Sequence, residues 1–197
     1  MNSEELKMVT EKINLYILGV LSPPRYAHSV RVAVLARELC KRFSVDPCAG
    51  YLAGIAHDMC KSGKDRWVLT LAGKDSDPVT EIELEKPALL HGRAAAVLLT
   101  SDFAVNDFSI LEAIRHHTFG SPGMDALGKI LFVADKIEPG RTGLNVNLRK
   151  KIMEAGLDAM TLMVLEENIR YLESREKKVS ATTYKMMESL KWRETAR

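Results

Sequence analysis

The stretch Asp46-Pro-Cys-Ala-Gly-Tyr-Leu-Ala-Gly-Ile-Ala-His-Asp-Met-Cys-Lys61 opens like a helix and closes on ionisable groups. Asp46 before Pro47 is a start signal, because an aspartate side chain accepts from free first-turn amides and proline tolerates the first helical position. The apolar run through Tyr51, Leu52 and Ile55 predicts a helix climbing toward His57, with His57 and Asp58 near its C-terminal end. A face that should be buried therefore ends on an imidazole and a carboxylate side by side, with Lys61 one turn further on.

Outward from this stretch the chain reads as helices. Leu6, Val9, Ile13, Ile17 and Val20 recur at three- and four-residue spacing over Asn2 to Val20, the stripe of an amphipathic helix. Ser22-Pro23 repeats the start signal and predicts a helix to about Phe43. Ser62-Gly63 and the Gly73 to Pro78 stretch punctuate the next segment, predicting a short helix around Trp67 to Leu71 and a loop through about Lys86. That loop, from Gly73 to Lys86, is polar and flanks the His-Asp pair in sequence, so a lid role is considered for it. Pro87 starts a helix that holds His91 and ends near Leu99. Another runs from about Asp107 to His117 and stops at Phe119-Gly-Ser-Pro-Gly123. Met124 to Ile137 is a strongly apolar helix with Asp135 near its end, stopped by Pro139-Gly140. From Asn147 the pattern is helical to the C-terminus, with a Ser180 cap and an exposed-looking tail over 191–197. No alternating strand, repeat or low-complexity tract is present. The expected fold is all-α, from roughly eight to ten helices.

The bulk numbers exclude several classes. At 197 residues the chain suits one domain, able to bury roughly two-thirds of its unfolded surface. With 28 basic against 26 acidic side chains, nothing demands nucleic acid or an anionic membrane as partner, and an anionic ligand must be met by a local cluster. No apolar run reaches the roughly 18 residues of a membrane span, and the acidic N-terminus is unlike a secretory signal, so a cytoplasmic protein is expected. Cys40, Cys48 and Cys60 show no Cys-x-x-Cys spacing and read as reduced, space-filling thiols.

All five histidines lie between positions 28 and 117: His28, His57, His91, His116 and His117. His28 shares a face with Val32, Leu35 and Leu39, His91 lies among Leu90, Ala94, Ala95 and Leu98, and Asp135 follows Ile130 to Ala134. A single helix histidine is more often a hydrogen-bonded structural residue than a ligand. A core-facing aspartate is more informative, since burying an unpaired carboxylate costs several kcal/mol. Metal ions would satisfy all these groups together, whereas each would otherwise need a private partner. Imidazole and carboxylate donors suit iron, manganese, zinc or nickel, and the absence of a placed cysteine argues against a structural zinc site. His28, His57, Asp58 and Asp135 suffice for one ion, and a second beside it would employ His91 and His117. Two neighbouring ions can clamp an in-line phosphoryl displacement and activate the water between them.

The flanks of these residues are more specific than the His-Asp doublet: Arg25-Tyr-Ala-His-Ser29, Gly54-Ile-Ala-His-Asp-Met-Cys-Lys61, Leu90-His-Gly92, Ala113-Ile-Arg-His-His-Thr118 and Phe132-Val-Ala-Asp-Lys-Ile-Glu-Pro-Gly-Arg141. This set resembles the HD-domain superfamily of metal-dependent phosphohydrolases, and within it the bacterial YqeK family, over roughly residues 15 to 175. The resemblance implies a single all-α HD domain over 1–197, with a core at about 22–140 and C-terminal helices at about 145–195 packed on it. It also implies a di-iron-type bis(5′-nucleosyl)-tetraphosphatase that splits diadenosine tetraphosphate symmetrically into two ADP through a metal-bridging hydroxide. Its six ligands fall on His28, His57, Asp58, His91, His117 and Asp135, holding two divalent ions, with Asp58 bridging them. Asp58 and Lys61 are the expected catalytic residues. His117 is chosen over His116 because the family motif places an aromatic residue before His-Thr; His116 then either contacts the nucleotide or lies on the surface.

Basic residues beside the cluster suit a polyphosphate. Lys61 would hold a phosphoryl oxygen or neutralise transition-state charge; Arg25 and Arg141 offer paired donors to phosphate. Arg115 reads as a helix-surface ion-pair residue. Glu138 either caps structure or orients a histidine. Phosphate-loop, dinucleotide-fold and His-Glu-x-x-His motifs are absent. Trp67 and Trp192 show no basic interleaving, so no nucleic-acid role is read. A small nucleotide is the expected substrate and a homodimer is considered. The rival readings are hydrolysis of another nucleotide phosphoester, and a sensor that binds a nucleotide without cleaving it.

Overall fold

The computed structural model describes residues 1–195, with side chains described through Trp192. Among these residues there are eleven α-helices and one 3₁₀ turn, and no strand. The helices are α1 (Ser3–Val20), α2 (Pro23–Arg42), α3 (Pro47–Ala56), α4 (Asp65–Ala72), α5 (Glu81–Glu85), α6 (His91–Phe103), α7 (Phe108–His116), α8 (Ala126–Ile137), α9 (Val146–Glu154), α10 (Leu157–Glu173) and α11 (Ala181–Thr195). The all-α class holds. The count passes the expected eight to ten because α5 forms within the segment expected to be a loop. Its first turn is closed by a capping box in which Thr80 and Glu83 exchange hydrogen bonds.

Side-chain caps fix several of the helix starts. Asn2 accepts from Glu4 and Glu5, Asp46 from Cys48, Asp107 from Ile110 and Asp125 from Gly128. Ser22 precedes Pro23 as expected but makes no side-chain cap bond. Lys191 and Trp192 are exposed as expected of the tail, while the side chains of 193–197 lie outside those described.

Helix α2 lies at the centre, packed against α3 and α8; α1 covers α3, α4 lies on α6, and α10 joins α8 to α9 and α11. The core is aliphatic, with Ile13, Ile17, Val32, Leu39, Leu52, Ile55, Ile110, Ile114 and Phe132 wholly buried. Helices α2 and α3 meet nearly backbone to backbone. A Cβ on Gly54 would stand 2.4 Å from the Cα of Ala33, so only glycine permits that approach. Cys40 and Cys60 are buried, and burial pushes both thiols up to about 12, which leaves them unreactive packing groups.

The 73–86 segment is fastened from beneath. Arg93 of α6 binds both carboxylate oxygens of Asp75 at 2.5 and 2.9 Å and the carbonyls of Asp77 and Pro78. Arg115 reaches the same Asp75 at 3.0 Å as well as Glu112, so it anchors the segment in addition to the surface pairing expected of it.

Candidate metal centre

Four imidazoles and two carboxylates converge between α2, α3, α6, α7 and α8. Three of the histidines arrive by one device. His57 and His117 are the C-terminal caps of α3 and α7, and His91 stands where the Pro87–Leu90 3₁₀ turn passes into α6. At such junctions a carbonyl is released from the regular helical ladder, and the ring takes it up. Nδ1 of His57 lies 2.7 Å from the Gly54 carbonyl, Nδ1 of His91 2.8 Å from that of Ala88, and Nδ1 of His117 2.7 Å from that of Ile114. Each acceptor is three residues earlier in the chain.

Carbonyl oxygens only accept, so each Nδ1 carries the proton and donates it outward. His28 follows the same pattern with a side chain: its Nδ1 lies 3.0 Å from Oε1 of the buried Glu138. The Nε2 atoms of His57, His91 and His117 therefore face inward with a free lone pair, while that of His28 faces the Asp135 carboxylate. Ring centroids run His28 to His57 at 5.3 Å, His57 to His117 at 4.9 Å and His117 to His91 at 4.8 Å.

The inner atoms do not satisfy one another. Nε2 of His91 and of His117 stand 2.9 Å apart, both rings having committed their N–H to backbone. Nε2 of His57 is wholly buried and makes no hydrogen bond; its nearest carboxylates, on Asp58 and Asp135, are 3.7 Å away. Two opposed lone pairs and an orphaned nitrogen call for an electron-pair acceptor. Asp58 lies among them, Oδ1 at 3.0 Å from His91 Nε2 and Oδ2 turned toward His57. Asp135 Oδ1 lies 3.1 Å from His28 Nε2. His28, His57 and Asp58 form one cluster of ligand atoms, His57, His117 and Asp135 a second, and Asp58, His91 and His117 a third. Nitrogen-rich donors with two carboxylates suit a borderline transition-metal ion, so the residues present fit the metal expected from sequence.

The protonation states favour the same occupant. Burial, reinforced by the neighbouring His91 and His57, holds His117 well below the usual imidazole range, and burial lowers His57. Burial alone would raise both carboxyls. Asp58 is nonetheless held well below the carboxylate range by the neighbouring His57 and His91, and Asp135 by Lys136 and His28. Neutral imidazole and ionised carboxylate are the forms a cation needs. His28 is the exception: burial lowers it, but its bonds to Asp135 and Glu138 outweigh that and raise it.

Basic side chains rim the cluster. Arg25 Nη1 lies 2.5 Å from Asp58 Oδ2, Lys61 Nζ 3.2 and 3.4 Å from Nδ1 and Nε2 at the edge of the His91 ring, and Arg141 Nη2 2.9 Å from Asp135 Oδ1. The structure thus brings Arg25, Lys61 and Arg141 to the expected ligand set. It does not bring His116. One position along α7 from His117, that ring turns away to Glu112 at 3.3 Å and lines a separate hollow with Phe108 and Met124. Lys136 belongs at the centre without a sequence signal of its own. Its ammonium lies 2.9 Å from the His117 carbonyl, 3.4 Å from Asp135 Oδ2 and 3.8 Å from the centre of the Phe132 ring. Glu138 fills both roles considered for it, accepting from the Gly140 amide and from Arg31 while it orients His28.

Comparison with known proteins places this arrangement. The HD domain family matches residues 25–140. A symmetrical bis(5′-nucleosyl)-tetraphosphatase of Bacillus subtilis is 32% identical over 83% of this chain and 88% of its own length. The Staphylococcus aureus protein of the same name is 36% identical over 68% of this chain and 69% of its own. Among solved structures, an HD-superfamily hydrolase from Clostridium acetobutylicum, described as involved in NAD metabolism, superposes with a TM-score of 0.87 at 28% identity, covering 93% of this chain and 97% of that one.

Proposed function

The chain belongs to the HD domain family, a family of metal-dependent phosphohydrolases, and on that premise we propose that it hydrolyses diadenosine tetraphosphate symmetrically to two ADP. The observation that carries a metal-dependent reaction is the pair of opposed Nε2 atoms on His91 and His117, 2.9 Å apart with both Nδ1 donors committed elsewhere. The substrate follows from the relatives' activity together with the cationic rim. His28, His57, Asp58, His91, His117 and Asp135 would hold two divalent ions, iron by the family resemblance and manganese, zinc or nickel equally by donor type, with Asp58 shared because its two oxygens face different imidazoles.

Bound ions supply Lewis acidity at the phosphoryl oxygens and bring the pKa of a coordinated water toward neutrality. The protein's own groups do the rest. Arg25, Lys61 and Arg141 lie where they can release their carboxylate and imidazole partners and meet phosphate oxygens instead, offsetting the charge of the polyphosphate. Water attacks an inner phosphorus, the central P–O–P bond breaks, and each half leaves as ADP. Asp58 or a neighbouring water would take up the released proton.

The test is anaerobic incubation of Fe²⁺- or Mn²⁺-loaded protein with diadenosine tetraphosphate, followed by separation of the nucleotides. ADP alone is expected; AMP with ATP would overturn the point of attack, and no cleavage the substrate. Asp58→Ala is expected to lose metal and activity while its helical circular-dichroism spectrum remains, and normal turnover in that variant would sink the assignment. The Clostridium neighbour's link to NAD metabolism favours a second reading, in which another nucleotide phosphoester is cleaved; the same separation, run with NAD-type dinucleotides, discriminates them.

A further inference from the structure

The turn Glu138-Pro-Gly-Arg141 joins two parts of the centre: Glu138 at its start orients His28, and Arg141 at its end reaches Asp135. It is closed by the Arg141 amide, which donates to the Glu138 carbonyl at 2.9 Å. Pro139 to Gly143 is exposed throughout and holds two glycines, so burial does little to fix the main chain from which Arg141 projects. Two guanidiniums grip this turn from different helices. Arg31 of α2 holds the Glu138 carboxylate and lies so close to the turn that a Cβ on Gly140 would stand 2.4 Å from its Nη2. Arg149 of α9 holds main chain instead: its Nη2 donates to the Arg141 carbonyl at 2.6 Å and to the Glu138 carbonyl at 3.4 Å. Arg149 lies past residue 140, where the match to the HD domain family ends.

We infer that Arg149 is a positioning residue for the substrate: by holding the carbonyls at both ends of the turn, it sets the Arg141 guanidinium at the metal centre before a phosphate arrives. The inference rests on the reading above, in which Arg141 meets a phosphate oxygen. A long side chain on an exposed Pro-Gly turn must be ordered when an anion binds, and ordering it in advance removes that cost from the binding step. Arg141 is tied at its tip by Nε to the Asp135 carbonyl and by Nη2 to Asp135 Oδ1, both at 2.9 Å. Once a phosphate takes over Nη2, the residue is held by the Nε bond and by its own main chain, where Arg149 supplies the grip. A carbonyl satisfies a guanidinium without cancelling its charge, so Arg149 also stays cationic beside Arg141. Acting as charge alone, it would attract phosphate whether or not Arg141 is present; acting through position, it works only when Arg141 is there.

The test is calorimetric titration of metal-loaded wild type, Arg149→Met, Arg141→Ala and the double variant with inorganic pyrophosphate, beside KM for diadenosine tetraphosphate and bound metal by elemental analysis. Methionine keeps an apolar stem and removes the donors. Arg149→Met is expected to weaken pyrophosphate binding and raise KM by about ten-fold, the order of one hydrogen bond to a charged group, with Arg149→Lys recovering part of the loss. Bound metal is expected to hold, because the Glu138 carboxylate keeps Arg31 and the Gly140 amide. In the Arg141→Ala background, Arg149→Met is expected to cost nothing further; wild-type binding in Arg149→Met, or an equal loss in both backgrounds, overturns the role. If wild type cleaves the substrate and the two losses multiply, the positioning is wrong and the proposed reaction stands. If wild type cleaves nothing while the losses in pyrophosphate affinity fail to multiply, the reaction is wrong and the positioning stands. A wild type that neither cleaves the substrate nor binds pyrophosphate overturns both.

Discussion

Each inward imidazole is fixed by what its outer nitrogen holds. His57, His91 and His117 hold backbone, which mutation cannot remove, but His28 holds Glu138, which makes that carboxylate the point where the centre can be tuned. Glu138→Gln keeps the shape and an oxygen acceptor while removing the charge that raises the basicity of His28. A 10- to 100-fold loss of metal affinity is expected, the range typical for such supporting partners, read by competition with a chelator; unchanged affinity would show that the carboxylate only caps α8. The six expected ligand residues stood out in sequence because each sits in or at the end of an apolar run where an ionisable group needs a reason, while their assignment as one set came from the resemblance. Lys136 did not stand out, since what binds it is the His117 carbonyl and the Phe132 ring, and neither leaves a mark beside a lysine in the chain.

Helices α6 and α7 carry the two opposed histidines, and their approach is limited at Gly92. A Cβ there would stand 2.7 Å from the Ile114 carbonyl and 3.0 Å from two atoms of the His117 ring. Both are parts of the bond that orients His117, so Gly92→Ala should push that ring off its acceptor. The expected outcome is a fold still helical, destabilised by about 1–3 kcal/mol as for ordinary overpacking, with a sharp fall in bound metal measured by elemental analysis. Full metal content in a folded Gly92→Ala protein would show that α6 and α7 can part without cost to the centre. At this level apolar periodicity made α1 legible, an apolar run α8, and a start signal α3, where Asp46 accepts the Cys48 amide as expected. Two features were not. Pro87 begins a 3₁₀ turn that gives way to α6 at His91, and proline opens both kinds of turn alike. Helix α5 is too short for periodicity to register.

For the molecule entire, the ion-free centre makes stability depend on pH. His57 and His117 bind protons less readily folded than unfolded, so below the unfolded imidazole value near 6.5 the unfolded chain gains protons that the native state refuses. The stability they contribute is present above that value and is lost as pH falls. The raised His28 works the other way, contributing stability below 6.5 that fades as pH rises, but it is one group against two. Asp58 and Asp135 add their own loss only at lower pH, below the unfolded carboxylate range. The urea midpoint of metal-stripped protein is therefore expected to fall between pH 7.5 and 5.5, and a midpoint that holds or rises would contradict these assignments. The hollow lined by Asp135, Arg141, Leu144, Ile152, Asn168 and Tyr171 was not legible in sequence, since these residues come from α8, the loop after it, α9 and α10, and only the docking of those helices gathers them. The contact of α2 with α3 at Gly54 and Ala33 has a further consequence. His28 and His57 ride on two helices that touch through main chain, so the pitch between these imidazoles owes little to the side chains filling the interior. Over evolutionary time, leucine, isoleucine and valine can trade places across the remainder of the core while that pitch is handed down intact.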